Sequence, residues 1–266
     1  MLLYPNAKIN IGLNIVNRLK SGFHQIESCF CPVSLYDIIE IKEFNRNHLS
    51  LSGGKIDGEK SNNIVNKAIN VFNCNQKFKV HLHKNIPIGA GLGGGSSDGS
   101  IILKFLNKKL EKFSEKELLF EANKLGSDCP FFIENKTKYV SGTGNIFEDI
   151  TLDLSQNKII IINPEISINT SEAFQNISPS KPKYNLKEIL ENENIENWNN
   201  YIKNDFEEFA FSKIKILKKI KSNLKKLGAK YISLSGSGSC IYGIFNNKDI
   251  SDYEIKFKNY IVDFIA

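Results

Sequence analysis

Five glycines between positions 89 and 95 are the feature of this 266-residue sequence that most strongly suggests chemistry. They belong to the stretch PIGAGLGGGSSDGSIILKFL, from Pro87 to Leu106, whose second half has the apolar spacing of a helix. Glycine costs about 0.5–1 kcal/mol relative to alanine in regular structure, so a cluster indicates close approach of backbone to another group. Ser96, Ser97 and Asp98 are residue types that begin helices. The loop is therefore predicted to run into a helix N-terminus, which suits an anion such as phosphate.

The glycine-rich loop matches neither of the two common phosphate-binding motifs in full. Gly89-x-Gly91-x-x-Gly94 fits the dinucleotide fingerprint as a string, but a second helix follows where that fold needs a strand. Ser114-x-x-Glu117 predicts a capping box at the start of this second helix. A Walker A motif would need Lys-Ser/Thr after the glycines. We interpret the stretch as a phosphate loop of another type, with a flexible loop beside a helix as the alternative.

Cysteine and histidine residues do not have the spacing of a metal site. The cysteines lack a C-x₂-C pair, so neither a zinc site nor a disulfide framework is indicated, and reduced thiols are expected. His81 and His83 lie on one face of a predicted strand with no third ligand nearby, which favours a half-exposed strand over a metal site. The five cysteines are Cys29, Cys31, Cys74, Cys129 and Cys240.

Composition and charge are those of an ordinary globular protein. Hydrophobic residues make up 41% and charged residues 24% of the chain, and the net charge is +6. No apolar run approaches the roughly 20 residues of a membrane helix, and the N-terminus lacks a secretion signal, so a cytoplasmic protein is expected. Many lysines fall on the polar side of an amphipathic helix between Lys213 and Gly228. A solvated helix face is favoured over a nucleic-acid-binding patch, and neither nucleic acid nor membrane is expected as a partner.

The elements around the glycine-rich loop predict an α+β protein. Residues 7–16 alternate with a period of two, which predicts a strand with one polar face that carries Lys8, Asn10 and Asn14. Further strands are predicted before the loop, between Thr137 and Ile150, in NKIIIINPE and in YISLSGSGSCIYGIF. We expect an N-terminal domain over residues 1–155, a C-terminal domain over 156–266, and an active site in the cleft between two lobes.

Three motifs in a fixed order, PNAKINIGL, PIGAGLGGGSSDGS and LSGSGSCIYGIF, resemble the GHMP kinase superfamily of small-molecule kinases. GFHQIES, LGSDCPFF and NPEISINTSEAF extend the resemblance over almost the whole chain. The full set is similar to the 4-diphosphocytidyl-2-C-methyl-D-erythritol kinase family. The resemblance implies a two-lobed GHMP fold and phosphorylation, by ATP with Mg²⁺, of the 2-hydroxyl of a cytidine diphosphate conjugate of methylerythritol, within non-mevalonate isoprenoid synthesis.

The resemblance assigns roles to two groups of residues. Asp128 would be the catalytic base and Lys8 the cation that keeps it ionised and stabilises the transferring phosphoryl group. Without the resemblance, Asp128 would be interpreted as a helix N-cap and Lys8 as an exposed lysine on a strand. The ATP phosphates would be wrapped by the loop residues Pro87, Ile88, Gly89, Ala90, Gly91, Leu92, Gly93, Gly94, Gly95, Ser96 and Ser97, with the two serines reaching phosphate or Mg²⁺.

The acceptor contacts follow from the same resemblance. Phe23, His24 and Phe174 would bind the cytosine by stacking and by hydrogen bonds to its pairing edge. Unaided, Phe23 and Phe174 would be interpreted as core residues and His24 as a solvent-facing strand residue. The remaining substrate-binding residues would be Asn10, Thr170, Ser237 and Gly238.

Two alternatives and two departures accompany this interpretation. A homoserine- or mevalonate-type GHMP kinase is the nearest alternative, and a non-catalytic sugar sensor on the same fold is the second. Phe23 stands where many relatives have tyrosine. Gly99-Ser100 replaces a common alanine pair, which should weaken the start of the helix by around 1 kcal/mol. The oligomeric state is expected to be a monomer or a weak homodimer.

Overall fold

The computed structural model describes residues 1–54, 59–247 and 257–265, and it confirms the α+β class. The strands are β1 (Leu2–Leu3), β2 (Asn6–Arg18), β3 (His24–Tyr36), β4 (Ile38–Phe44), β5 (His48–Gly53), β6 (Lys77–Lys84), β7 (Lys138–Ser141), β8 (Ile146–Asp149), β9 (Asn157–Asn163), β10 (Tyr231–Leu234), β11 (Ile241–Asn246) and β12 (Lys258–Asp263). The α-helices are α1 (Ile64–Val71), α2 (Gly94–Leu110), α3 (Glu115–Leu125), α4 (Cys129–Glu134), α5 (Thr170–Gln175), α6 (Leu186–Asn192), α7 (Trp198–Tyr201), α8 (Phe206–Lys213) and α9 (Ile216–Lys226), with 3₁₀ turns at Lys60–Asn62 and Ile195–Asn197.

The chain forms two compact units that interleave along the sequence. The first comprises Met1–Ala7, Leu35–Ile88 and Gly93–Asn135, and the second comprises Lys8–Ser34, Gly89–Leu92 and Lys136–Ala266. The contiguous boundary at residue 155 stays a prediction, because these units reflect packing and each is discontinuous in sequence.

The first unit packs helices against a four-stranded sheet of order β1-β4-β6-β5. β4 and β6 are antiparallel, whereas β5 runs parallel to β6. The sheet buries alternate residues of β6, such as Val80 and Leu82, against α1 and α2. α3 begins with the predicted capping box, in which Ser114 and Glu117 bond to each other's backbone N–H groups, and α4 follows it after a short turn.

The second unit contains a sheet of order β10-β11-β9-β12 with antiparallel pairing throughout. β9 is the fully apolar strand that the sequence predicts, and Ile160 and Ile162 pack toward α8 and α9. α9 buries Leu217, Ile220 and Leu224, as its periodicity predicts, with its lysines on the other side. The other sheet has the order β2-β3-β7-β8 and begins with the strand that carries Lys8.

The polar face of β2 is buried: every residue from Asn6 to Ile15 is buried, including Lys8, Asn10 and Asn14, which contradicts the alternative of an exposed strand lysine.

One local prediction is wrong. The helix after the glycine-rich loop begins at Gly94, two residues before the predicted Ser96–Asp98 start. Gly93, in the left-handed conformation at φ 69°, takes the N-cap position, and this places Ser97 and Asp98 inside the helix.

The five cysteines are free thiols, and four of them are buried. His81 and His83 are half-buried on β6, where their ring nitrogens bond to the hydroxyl groups of Ser50 and Ser52 on β5. Within the described ranges, no three metal-binding side chains of the His, Cys, Asp or Glu type gather into a possible metal site. No helix in those ranges has both the length and the apolar character needed to cross a bilayer.

Candidate active site

The tip of the glycine-rich loop packs against the turn between β10 and β11 in the second unit. Ser235 Oγ donates to Gly91 O at 2.8 Å, and Cys240 N–H donates to Ala90 O at 3.2 Å. A Cβ atom on Gly91 would lie 1.9 Å from Ser235 O, and the residue has φ 79°. Glycine is therefore required at position 91 both by contact and by backbone conformation. The sequence did not single out Ser235 for this role, although it lies in the quoted LSGSGSC motif.

The base of the loop is the N-terminus of α2 in the first unit. Ser97 N–H makes the first intrahelical bond of α2, to Gly93 O at 3.0 Å. The N–H groups of Gly94, Gly95 and Ser96 precede that bond and lie at the positive end of the helix dipole. Since the Ser97 N–H is engaged and its side chain is 2% exposed, the anion-binding capacity of this turn rests on the three residues before it.

Lys8 lies in a buried polar chain on β2. Its Nζ donates to Asn10 Oδ1 at 2.6 Å and lies 4.2 Å from the centre of the Phe30 ring. Asn10 Nδ2 donates to Ser28 Oγ at 3.0 Å, and Ser28 in turn donates to Gly12 O at 2.6 Å. Lys8 is only 4% exposed, which contradicts the alternative interpretation of an exposed strand lysine. Each polar group in the chain has a partner, so the lysine is held in one orientation.

The same strand is tied to the loop and to β11 by its backbone. Lys8 N–H donates to Leu92 O at 3.0 Å, and Tyr242 OH donates to Asn10 O at 2.7 Å. A Cβ atom on Gly236 would lie 3.3 Å from Gly91 Cα and 3.5 Å from Asn10 Oδ1. The second unit therefore brings together Lys8, Asn10, the loop tip and the β10–β11 turn. Ser28 and Tyr242 are members of this group that residue types alone did not reveal.

Asp128 lies immediately before α4 in the first unit and is half-buried. Asp128 takes the N-cap position of α4, as the alternative interpretation expects, but its side chain makes no capping hydrogen bond to that helix. Ser100 Oγ donates to Ser96 O at 2.7 Å and to Cys129 O at 2.9 Å, which ties the start of α4 to the first turn of α2. Burial raises the pKa of the Cys129 thiol to about 11, and this thiol stays protonated at neutral pH.

The glycine-serine pair that replaces two alanines has a packing explanation. A Cβ atom on Gly99 would lie 2.8 Å from Ile64 Cγ1 at the start of α1. The hydroxyl group of Ser100 makes the bond to Cys129 O that connects α2 to α4. The pair therefore fits helix α1 closely and ties down the start of α4, which offsets its lower helix propensity.

The aromatic residues predicted to bind cytosine meet in the second unit. The rings of His24 and Phe174 stack with centroids 5.0 Å apart, and Phe174 contacts Phe206 edge-on. A base between two rings needs a separation of about 7 Å, twice a van der Waals contact. A base at this site must therefore stack on the outside of the pair. Phe23 is 67% exposed and is not a core residue.

His24 is neutral at physiological pH. Partial burial, and to a smaller degree the positive charge of Arg18, lower the pKa of its imidazole below 6.5. A neutral ring offers one donor and one acceptor nitrogen. Thr170 Oγ1 and Ser237 Oγ lie 3.0 Å apart, and Ser237 is followed by Gly238 in the β10–β11 turn. The side chains of five of the seven predicted substrate residues, Asn10, His24, Thr170, Phe174 and Ser237, thus have defined contacts in this unit.

Comparisons with known proteins agree with these motifs. The family model for the GHMP kinases N terminal domain matches residues 63–136, and that for the GHMP kinases C terminal matches residues 185–252. A 4-diphosphocytidyl-2-C-methyl-D-erythritol kinase of Azobacteroides pseudotrichonymphae genomovar. CFP2 is 42% identical over 98% of this chain and 100% of its own length. The chain belongs to the 4-diphosphocytidyl-2-C-methyl-D-erythritol kinase family. Both the predicted family and the GHMP kinase fold are confirmed.

Two solved kinase structures are similar to this chain in fold. The crystal structure of a 4-(cytidine 5'-diphospho)-2C-methyl-D-erythritol kinase has a TM-score of 0.77 and 25% identity, and the match covers 91% of this chain and 89% of that one. A homoserine kinase from Cytophaga hutchinsonii has a TM-score of 0.64 at 16% identity, with 92% and 86% of the two chains covered. The second similarity shows the shared fold alone.

Alanine substitutions at two loop glycines should have opposite effects on stability. Gly91→Ala should lower the free energy of unfolding by about 2–5 kcal/mol, because the methyl group meets Ser235 O and the residue has a positive φ. Gly95→Ala should raise it by about 0.5–1 kcal/mol, since no atom lies within 4 Å and alanine favours the helix. Denaturant unfolding of both variants measures these changes.

Gly95→Ala also tests the phosphate-binding role of the loop. Its methyl group would stand in the open space at the first turn of α2 that the ATP phosphates would occupy. The KM for ATP should therefore rise by about tenfold or more while stability improves. An unchanged KM for ATP in this stable variant would show that the phosphates bind elsewhere.

Proposed function

We propose that the protein is an ATP-dependent kinase that phosphorylates the 2-hydroxyl of 4-diphosphocytidyl-2-C-methyl-D-erythritol, a step of non-mevalonate isoprenoid synthesis. The observation that carries the proposal is the glycine-rich loop at the N-terminus of α2, in a chain that matches this kinase family over nearly its full length. The reaction transfers the γ-phosphoryl group of ATP to the acceptor oxygen, releases ADP, and leaves one proton to be taken up.

The loop supplies the binding site for the ATP phosphates. The N–H groups of Gly94, Gly95 and Ser96 are directed along the helix axis at its positive end, as phosphate oxygens require. The backbone of residues 87–93 would contact the rest of the phosphate chain. The glycines among these residues allow the backbone to come close to the ligand.

Mg²⁺ would be held mainly by the phosphates. The protein group in the first unit that suits it is the hydroxyl group of Ser96, an oxygen donor. No larger carboxylate cage is needed, because Mg²⁺ in kinases is bound by one or two protein ligands together with substrate phosphates. When bound, the ion neutralises charge on the phosphate oxygens.

Asp128 would act as the base and Lys8 as the cation of the transfer. Asp128 would take the proton of the acceptor hydroxyl as its oxygen attacks the γ-phosphorus. Lys8 would stabilise the negative charge on the transferring group, and its bond to Asn10 and its packing on Phe30 fix the direction of its Nζ in advance.

The acceptor would be selected through its cytosine. His24 offers a donor and an acceptor nitrogen for the pairing edge of the base, and Phe23, which is exposed, offers a face for stacking. Phe174 supports the imidazole from behind, as the stacked pair of rings requires. Thr170, Ser237, Gly238 and Asn10 would contact the methylerythritol part through their hydroxyl, amide and backbone groups.

The two alternatives account for fewer observations. A homoserine or mevalonate kinase would not need a neutral histidine on an aromatic support at the acceptor site. A non-catalytic sugar sensor would not need a buried lysine held by a chain of hydrogen bonds. We place the enzyme in the cytoplasm, where ATP is present and five unpaired thiols remain reduced.

Acceptor selectivity tests the proposed function directly. ADP formation should depend on the cytidine diphosphate conjugate of methylerythritol, and homoserine, mevalonate, galactose and free methylerythritol phosphate should give only background rates. A site that hydrogen-bonds a base edge rejects analogues without that edge, because its own polar groups are left unpaired. Efficient phosphorylation of an acceptor without cytidine would contradict the proposal.

His24→Ala tests whether this histidine recognises the cytosine. The KM for the cytidine acceptor should rise by about 5- to 150-fold, equivalent to about 1–3 kcal/mol for a lost buried hydrogen bond, whereas the KM for ATP should not change. In the wild type, acceptor affinity should be constant from pH 7 to pH 8, since the imidazole is already neutral there. Equal losses for ATP and acceptor would show a general structural defect instead.

Asp128→Asn should lower kcat by about 10²–10⁴-fold with little change in either KM, because the base is lost while its shape is kept. Lys8→Met should also act mainly on kcat. The double variant should lose less than the product of the two single effects, since both residues act on one step. Steady-state kinetics measures all three, and near-normal turnover in folded Asp128→Asn would refute its assignment as the base.

A further inference from the structure

Three charged side chains are buried together in the first unit, at the base of the glycine-rich loop. Lys84 is the last residue of β6, Asp37 lies between β3 and β4, and Asp98 belongs to α2. Their exposed fractions are 5%, 0% and 2% respectively. Lys84 Nζ donates to Asp98 Oδ2 at 2.8 Å and also donates to Asp37 Oδ2. We refer to Asp37, Lys84 and Asp98 as the Lys84 cluster.

The Lys84 cluster touches the chain on both sides of the loop. Before the loop, Asp37 Oδ1 accepts bonds from the N–H groups of Asn85 at 2.7 Å and Ile86 at 2.9 Å. After the loop, a Cβ atom on Gly94 would lie 3.2 Å from Lys84 Nζ and 2.8 Å from Ile86 Cγ2. The cluster therefore sets the distance between the residues that enter the loop and the first turn of α2 that follows it.

Asp98 uses only one of its two oxygens within the cluster. Its Oδ2 accepts the bond from Lys84, whereas its Oδ1 is buried with no hydrogen-bond partner among the residues that the structure describes. Burial raises the pKa of Asp98; the attraction of Lys84 opposes this rise, and the negative charge of Asp37 adds to it. An oxygen buried without a partner suits a neutral carboxyl better than a carboxylate.

Stability alone does not explain three charged groups at this place. Buried ion pairs are often no more stabilising than well-packed apolar residues, since desolvation cancels most of the attraction. The feature that apolar residues could not reproduce is the directed bonding to the two sides of one loop. We propose that the Lys84 cluster positions the phosphate loop for ATP, with Lys84 as the positioning residue. This role rests on the proposed function, because it concerns the same loop.

Lys84→Met tests the positioning role against a matched control. Methionine keeps the volume of the lysine stem but removes the bonds to Asp37 and Asp98. The KM for ATP should rise by about 10- to 100-fold, as expected when binding groups are displaced by about an ångström, while the KM for the acceptor stays within twofold. The control is Lys138→Met in β7, where Lys138 is 9% exposed and its ion pair with Asp149 measures 2.7 Å. That variant should leave the KM for ATP unchanged.

Hydrogen–deuterium exchange gives a readout that does not depend on turnover. Peptides that cover residues 85–97 should exchange faster in Lys84→Met than in wild type, and Lys138→Met should not change them. Wild-type enzyme that lacks ATP-dependent turnover would refute the proposed function. Active wild type whose Lys84→Met variant keeps both its KM for ATP and its protection at 85–97 would refute the positioning role alone.

Variants of Asp98 keep the test valid even where Lys84→Met fails to fold. Asp98→Asn preserves the shape and neutrality of the protonated acid and should keep the KM for ATP within twofold at pH 7. Asp98→Ala removes the acceptor of the Lys84 bond and should raise that KM about tenfold. Equal KM values for Asp98→Asn and Asp98→Ala would contradict the role of the Lys84–Asp98 bond.

Discussion

A loop made of glycines has almost no side chains with which to hold its own conformation, and the site depends on how other residues hold it. Each free glycine gains more conformational entropy on unfolding than any other residue, so the ordered loop is costly by itself. In the second unit its tip is held by Ser235, which bonds to Gly91 O, and by the N–H of Cys240, which bonds to Ala90 O. In the first unit its two sides are held through Lys84. The order that the loop lacks is supplied by its neighbours.

Buried charge is the second physical theme of this chain. Lys8 and Lys84 are both buried, yet each is surrounded differently. Lys8 bonds to the amide of Asn10 and packs on the ring of Phe30. Lys84 makes its hydrogen bonds to two carboxyl groups of the protein. The proposals of a catalytic role for Lys8 and a positioning role for Lys84 are consistent with this difference.

Local patterns in the sequence predicted most of the elements. The capping box of α3, the apolar β9, the stripe of α9 and the strand–turn–strand around SGSGS depend on neighbouring residues, and all are present as predicted. The burial of Lys8 and Asn10 could not be predicted in this way, because alternation shows which residues share a face but not whether that face is covered. The start of α2 was misplaced for a related reason: Gly93 in a left-handed conformation serves as the N-cap, and the serines that resemble caps lie inside the helix.

The contacts of the candidate site needed tertiary structure for their discovery. The bond from Ser235 to Gly91 spans 144 residues and the bond from Tyr242 to Asn10 spans 232, so no local spacing could reveal them. Asp37 and Asp98 likewise reach Lys84 from distant parts of the chain. The residue types predicted the chemistry of individual side chains, and the resemblance of several motifs to one kinase family predicted the reaction in which those side chains would act together.

The position of the transferred phosphoryl group is the most direct test of the central claim. The product formed from ATP and 4-diphosphocytidyl-2-C-methyl-D-erythritol can be examined by ³¹P NMR without separation from ADP. Carbon 2 of the acceptor carries a methyl group and no hydrogen, so a phosphate ester at the 2-hydroxyl should give a phosphomonoester signal without three-bond coupling to a proton, in amounts equal to ADP. A phosphomonoester signal split by a proton on its own ester carbon, or inorganic phosphate in place of an ester, would contradict phosphorylation of the 2-hydroxyl.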